Sequence, residues 1–513
     1  MSDPQERLLI PETTDHFLWI VIVGAFGAFF AAFGIGANDV ANAFATSVGA
    51  KAVTLKQAII LAGIAEFLGA VLLGNHVTKA VRESIVDVFC FVDNPGMLMY
   101  GMMCIVYSTG AWLLLASYLE LPVSTTHSTV GSIIGMAIAY GGPDCVVWQK
   151  RTDIFPYLRG VSAIVVSWVV SPLASAILSC ALFYTVRSLV LRSPNAYERS
   201  FYVYPLLVLG TVAVNVFFFL YKGASSLDLD DTDIARALKW ALGLGGGLAL
   251  ITIPTVLPYI KRKVATSFNE DGTRRRKEAT PGDGDPHESR STGLGSFINR
   301  KLDHDVHALG QESEYVNEIH AKAEKFDPRA EEVFKYVQVL TAICDAFGHG
   351  ANDVANAMGP FEMLYIVYVN GGVENVDNGL GTAGHLILAL GGLGIVLGLA
   401  LYGYKIIAAI GVKIAKITPS RGFSIELGAA VMIIIGTRLE FPLSTTHCQV
   451  GATAGVALLE GIGGINSIVL VRTAAGWLIT IVVCGLSCAL LFAQGAYAPF
   501  VYDTIDLDST QRS

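Results

Sequence analysis

Charged residues are scarce in this chain. Asp, Glu, Lys and Arg make up 15% of its 513 residues, where an ordinary globular domain carries about 25%. Hydrophobic residues reach 53% and the mean hydropathy is +0.54, so the chain is written for a bilayer as a polytopic membrane protein. Basic residues are also short, with 35 Lys and Arg against 43 Asp and Glu and a formal net charge of −8. No basic patch is left for DNA or RNA. The eight cysteines lack CxxC or CxH spacing, and Cys104, Cys180, Cys344, Cys448, Cys484 and Cys488 lie in or beside apolar runs. They read as small buried hydrophobes rather than as a disulfide framework or a metal site. The first 16 residues carry Asp3, Glu6, Glu12 and Asp15 against one Arg7. A cleaved signal peptide would need a basic n-region, so the first apolar segment is expected to stay.

Apolar stretches that could enter a bilayer fall at about 17–35, 57–77, 97–119, 128–141, 159–186, 203–221 and 235–259, and again at about 333–349, 361–370, 382–410, 425–439, 447–461 and 470–494. Between the two sets, 261–332 holds Arg274, Arg275, Arg276 and Lys277 and the turn-rich stretch 281–286, and reads as a mostly disordered linker. Lys261, Arg262 and Lys263 follow the seventh segment directly, and Arg187, Arg192 and Arg199 flank the fifth. The positive-inside rule therefore places the linker in the cytoplasm. The acidic run 228–233, the N-terminal tail 1–16 and the C-terminal tail 495–513, with Asp503, Asp506 and Asp508, are expected outside.

Two motifs are duplicated. Gly-Ala-Asn-Asp-Val-Ala-Asn-Ala occupies 36–43 and recurs at 350–357; Leu-Pro-Val-Ser-Thr-Thr-His at 121–127 recurs as Phe-Pro-Leu-Ser-Thr-Thr-His at 441–447. One site built from two halves is implied. With the charge-based topology, the repeat at 17–186 starts outside and the repeat at 333–494 starts inside, so the halves are inverted, and 187–260 reads as an inserted helix pair. Parity holds if the chain around Pro122 forms a re-entrant hairpin. The expected fold is all-α, with inverted repeats, broken helices, re-entrant hairpins and about 12 membrane segments.

Inverted repeats with Gly-broken helices are the pattern of secondary transporters. Gly34, Gly36 and Gly49 in the first half and Gly348, Gly350, Gly359 and Pro360 in the second make local unwinding sterically easy. The alternative is that these small residues only let helices pack closely. Asp39 and Asp353 need partners inside a membrane. Carboxylate with the amides of Asn38, Asn42, Asn352 and Asn356 makes a hard oxygen set suited to Na⁺, or else the carboxylate carries a proton. Ser124, Thr125 and Thr126 after Pro122, and Ser444, Thr445 and Thr446 after Pro442, look like helix N-termini, whose N–H groups and hydroxyls attract an oxyanion. Cations held by the acids would make anion entry conditional on cation entry. Hydrogen phosphate can give a carboxylate the proton that sulfate lacks at neutral pH, so phosphate is the preferred anion.

Together these residues resemble the inorganic phosphate transporter family (PiT; Pho-4 type) of sodium- or proton-coupled phosphate symporters. The likeness extends to 167–172 and 422–426. It implies a substrate site of Asp39, Asn42, Ser124, Thr125, Thr126, Asp353, Asn356, Ser444, Thr445 and Thr446 at the repeat interface. It also implies external termini and sodium sites beside the substrate, for which the residues already read as cation ligands, Asn38, Asp39, Asn352 and Asp353, are joined by Glu66 and Glu426. These two glutamates resemble ones linked with coupling in the family, with a structural role, accepting a backbone or hydroxyl hydrogen bond, as the alternative. Where animal members have an acid in the 97–112 segment, this chain has Met102. His127, His447 and His349 are expected to pack or cap rather than to carry protons.

The expected function is sodium-driven import of inorganic phosphate, without a cofactor and with H⁺ as the alternative coupling ion. Expected partners are phosphate, sodium and lipid, with a homodimer allowed and no nucleic acid; the plasma membrane is the default location. A channel would not need paired acids. Ser124 with His127, or Ser444 with His447, could suggest a hydrolase, but duplication of the whole set without an oxyanion loop argues against an enzyme. A phosphate sensor with residual transport would share the binding residues.

Overall fold

The computed structural model describes residues 15–151, 157–221, 232–269, 273–275, 306, 313–373, 380–438 and 443–510. The tail to residue 14, most of the acidic run at 228–233, Arg276, Lys277, the stretch 281–286, Phe441 and Pro442 lie outside the described residues. Nearly everything described is helical. The first half holds α1 (Leu18–Asn38), α2 (Ala41–Gly49), α3 (Leu55–Ser84), α4 (Pro95–Tyr118), α5 (Thr125–Gly141) and α6 (Val161–Val186). An inserted set follows: α7 (Ala196–Leu220), α8 (Ile234–Thr252) and α9 (Val256–Ser267). After α10 (Glu314–Lys322), the second half holds α11 (Pro328–Asn370), α12 (Thr382–Tyr402), α13 (Tyr404–Gly411), α14 (Pro419–Arg438), α15 (Thr445–Leu458) and α16 (Ser467–Thr510).

The halves interdigitate. α1 packs on α12 and α11 on α3, while α5 packs on α16 and α15 on α6. Each half therefore gives its first helix and its second hairpin arm to the other half, as inverted repeats require. Gly36 and Gly350 sit where this happens. A Cβ on Gly36 would overlap the carbonyl of Ile395, and one on Gly350 the carbonyl of Glu66. Close packing, rather than unwinding, is the work of these two glycines.

Both hairpins are present. α4 and α5 begin and end at one face, where Cys90 and Cys145 form a disulfide. This corrects the reading of the cysteines as unpaired: the pair comprises the two that lie outside the apolar runs. α14 and α15 close at the opposite face, where Arg421 Nη2 meets Glu460 Oε1 at 2.6 Å. That second face also carries Lys51, Lys416 and the segment around α10, and Arg187 and Arg192 reach Glu324 there.

Two further expectations change. Nine helices among the described residues are long and apolar enough to cross a membrane, so the count of about 12 is not reproduced by this measure. α11 is not one of the nine; it is buried along most of its length, and neighbouring helices rather than its own side chains screen it from lipid. Within 261–332, the described residues include α10 and the start of α11 at Pro328.

The two octapeptides also differ. The first breaks at Asp39 and Val40, where the N–H of Asn42 reaches only back to the carbonyl of Asp39 at 2.9 Å. The second runs on as unbroken helix through Pro360, in a 43-residue element about 65 Å long. Proline has no N–H for the carbonyl of Asn356, four residues back. The hydroxyl of Thr129, from the other half, donates to that carbonyl at 2.9 Å and keeps the backbone satisfied.

Candidate functional site

Ser124 and Ser444 are the N-caps of α5 and α15, accepting the N–H of His127 at 3.2 Å and of His447 at 3.3 Å. The following threonines are thereby presented as the hairpin tips, against the octapeptides. Thr125 donates its hydroxyl to Asp39 Oδ2 at 2.7 Å, and its N–H points at the same oxygen at 3.4 Å. The other oxygen, Oδ1, accepts Asn42 Nδ2 at 2.7 Å and the hydroxyl of Thr446, from the opposite half, at 2.5 Å. In the second half Thr445 donates to Asp353 at 3.1 and 3.3 Å. Asn356 reaches across to the hydroxyls of Thr125 and Thr126 at 3.1 and 3.5 Å. Thr126 and Thr446 bond the opposite hairpins at Leu443 O (3.2 Å) and Val123 O (3.1 Å).

Asp39, Asn42, Asp353, Asn356, Ser124 through Thr126 and Ser444 through Thr446 thus form one cluster, and each is 4% exposed or less. The side chain of Asn38 faces away from it. Its amide donates to the hydroxyl of Ser117 and the carbonyl of Leu121, and its carbonyl accepts the N–H of Val123, which pins the first hairpin. Asn352 divides its amide between Asp353 at 3.1 Å and Leu443 O at 3.4 Å.

Glu426 lies in a separate cage. Thr46 and Ser47 of α2 donate to its Oε1 at 2.5 and 2.7 Å, with Gln338 Nε2 at 3.2 Å; Thr341 donates to Oε2 at 2.7 Å. Three hydroxyl oxygens round a carboxylate form a hard donor set of the kind Na⁺ or a proton can share. Glu66 is different: both carboxylate oxygens are buried without a hydrogen-bond partner among the described residues. Its backbone lies against Gly350. Nearby, His349 stands between Asp345 at 3.8 Å and Asp353 at 3.7 Å, one helical turn away on either side. The expectation that His349 only packs or caps is therefore replaced by an acidic setting. His127 and His447 do pack, against Trp168 and Trp477.

Sequence reasoning missed Asp345, Thr46, Ser47, Gln338 and Thr341. Asp345 could have been found, as an acid inside an apolar segment. The hydroxyl residues carry no such signal, because Ser and Thr are ordinary in membrane helices.

Two inverted halves, with hydroxyl-bearing helix N-termini from both meeting buried acids from both, define a multi-pass membrane transporter of the secondary type. The chain belongs to the PHO4 phosphate transporter family, which residues 35–488 match. The phosphate-repressible phosphate permease pho-4 of Neurospora crassa is 31% identical, over 94% of this chain and 98% of that protein. The chloroplastic inorganic phosphate transporter 2-1 of Arabidopsis thaliana is 32% identical, over 90% of this chain and 70% of that one. A solved structure of a sodium-dependent phosphate transporter superposes with a TM-score of 0.69 at 31% identity, covering 92% of this chain and 98% of that one. These relatives are permeases and transporters, not enzymes.

Proposed function

We propose that the chain is a plasma-membrane symporter that imports inorganic phosphate down a sodium gradient. One observation carries this reading: the carboxylate of Asp39 is held by Thr125 of its own half and Thr446 of the other. Acid and anion-binding helix ends thus share one site. The hydroxyls and N–H groups of Ser124 through Thr126 and Ser444 through Thr446 bind phosphate, with Asn42 and Asn356 as further polar contacts. Asp39, Asp353 and the Glu426 cage hold sodium, Asn352 borders the Asp353 site, and Asn38 holds the hairpin that presents Thr125. Two negative carboxylates beside a phosphate repel it until cations arrive, so cation entry precedes or accompanies anion entry. The resemblance to a solved transporter described as sodium-dependent favours Na⁺ over H⁺.

The test is radiolabelled phosphate uptake into proteoliposomes with the sodium and proton gradients imposed separately. Uptake is expected to follow sodium and to be abolished in Asp39→Asn and in Asp353→Asn. Uptake driven by the proton gradient alone, or normal sodium-driven uptake by either variant, refutes the assignment. So does competition by sulfate equal to that by unlabelled phosphate.

A further inference from the structure

A second polar space lies at the linker-bearing face, beyond the Glu426 cage. It is a cavity of about 740 Å³, bounded by the end of α2, the chain between α13 and α14, the start of α11 and the segment around α10. Six cationic side chains line it: Lys51, Arg274, Lys325, Lys335, Lys416 and Arg421.

Its acids are otherwise engaged. Both carboxylate oxygens of Glu324 accept from Arg192, at 2.9 Å each. Glu331 accepts the N–H and hydroxyl of Ser420 at 2.9 and 2.8 Å, and Glu332 lies 3.8 Å from Lys335. Lys51, Arg274, Lys325 and Lys416 form no ion pair among the described residues. Arg421 binds Glu460, but its Nε is buried without a hydrogen-bond partner. Lys416 is held below the usual lysine range, first by burial and then by the charges of Lys51 and Arg421. Lys51, Arg274, Lys325 and Lys416 are exposed to solvent, and like charges gathered round one concave space repel one another and draw anions to it.

We propose that this cavity binds a polyanion carrying phosphate groups, at a site separate from the transported phosphate. Four cations without an ion pair among the described residues match two or three phosphate groups better than one. The volume falls within the roughly 300–1,000 Å³ of small-molecule sites, more room than a single phosphate ion needs. The walls come from both the linker (Arg274, Lys325) and the transport halves (Lys51, Lys416), so an occupant ties one to the other. Arg421 is on the helix that bears Glu426, and Lys51 follows the helix that bears Thr46 and Ser47. The site therefore abuts the Glu426 cage, but binding there does not depend on which ion drives transport.

The experiment is lysine footprinting of the full chain in nanodiscs without sodium. The protein is acylated with and without tripolyphosphate, magnesium-free ATP or inorganic phosphate, and the peptides are read by mass spectrometry. Tripolyphosphate or ATP is expected to protect Lys51 and Lys416 at least fivefold while leaving the exposed Lys150 unchanged. Protection by ATP and tripolyphosphate but not by inorganic phosphate assigns the site to polyphosphorylated ligands. Equal protection by inorganic phosphate at the same concentration assigns it to the free ion and overturns the polyanion proposal. Protection of none, or of all lysines alike, overturns the site itself. In a second arm, Lys51→Gln/Lys416→Gln is expected to bind tripolyphosphate at least tenfold more weakly while Lys416→Arg binds as the wild type does; equal binding by the double variant overturns the proposal.

Discussion

His127 and His447 meet edge to face, with ring centroids 4.6 Å apart and planes at 80°. They are the equivalent residues of the two Ser-Thr-Thr-His motifs, so this contact lies where the inverted halves face each other. Each ring is also flanked by a tryptophan: Trp168 for His127 and Trp477 for His447, at 4.3 and 3.7 Å between centroids. His127 Nδ1 approaches the carbonyl of Trp477 at 3.3 Å. This aromatic stack fixes the spacing of the hairpin tips, and among the described residues the rings have no acid partner of the kind His349 has. His127→Gln and His447→Gln are expected to lower the thermal midpoint of the purified protein and to leave the pH profile of phosphate uptake in place. A displaced profile in either variant would make that ring a proton carrier.

The Glu426 cage predicts a sodium-specific defect. Glu426→Gln keeps the size and a hydrogen-bonding head but loses the charge that four neutral donors surround. The sodium concentration for half-maximal uptake is expected to rise about tenfold, equivalent to about 1.4 kcal/mol. The phosphate KM at saturating sodium is expected to stay near wild type. Equal rises in both would place Glu426 in the phosphate site instead.

Thr129 supports a helix in the other half. Thr129→Val leaves the carbonyl of Asn356 buried and unbonded, at a cost of about 1–3 kcal/mol, and moves Asn356 in the site. Loss of stability together with a raised phosphate KM is expected, with Thr129→Ser recovering both. If Thr129→Val matches the wild type in stability, Pro360 needs no help from the opposite repeat.

The hairpins are closed by different chemistry, and so should fail differently. Arg421→Met or Glu460→Gln alone leaves one buried charge without its partner, a loss of about 3–5 kcal/mol, while Arg421→Met/Glu460→Met together should recover much of it. Replacing the disulfide with Cys90→Ser/Cys145→Ser should cost about 2–4 kcal/mol, and reductant should lower the stability of the wild type but not of the double variant. Persistence of disulfides requires an oxidising side. Residue-selective alkylation after reduction in intact cells should therefore label Cys90 from outside, and labelling only after permeabilisation would reverse the orientation.

The linker contact at Glu324 is pH-dependent. The hydrogen bonds and charge of Arg192 hold the Glu324 carboxyl below its ordinary range. The folded-state shift is downward, so its contribution is fully present above the ordinary glutamate range near 4.3 and fades as pH falls through the lower folded value. The pair is partly exposed, with side chains 51% and 31% accessible, so the effect is small and screened by salt. Limited proteolysis of the segment 313–327 should accelerate below that range in wild type and at neutral pH in Glu324→Gln. No change in Glu324→Gln would detach this pair from linker docking.

The amino-acid sequence by itself determined the membrane class, through its shortage of charge, and the two-half design, through motifs repeated almost letter for letter. Charge placement around 187–199 and 261–263 sufficed for the inversion, because loop lysines and arginines obey a rule that needs no coordinates. Pro122 followed by Ser124 marked a helix start for a local reason, since a cap acts within three residues. Tertiary structure decided everything that depends on distant partners. Glu66 and Glu426 are equally plausible acids in apolar segments, yet among the described residues one has no hydrogen-bond partner and the other sits within a cage drawn from two other helices, α2 and α11. Cys90 and Cys145, 55 residues apart, pair only because a hairpin returns to its own face. The identical octapeptides take different backbone courses, so their tertiary surroundings decide between them, and the carbonyl that Pro360 leaves free beside the second copy is satisfied by Thr129 of the opposite half, a partner that local sequence cannot encode.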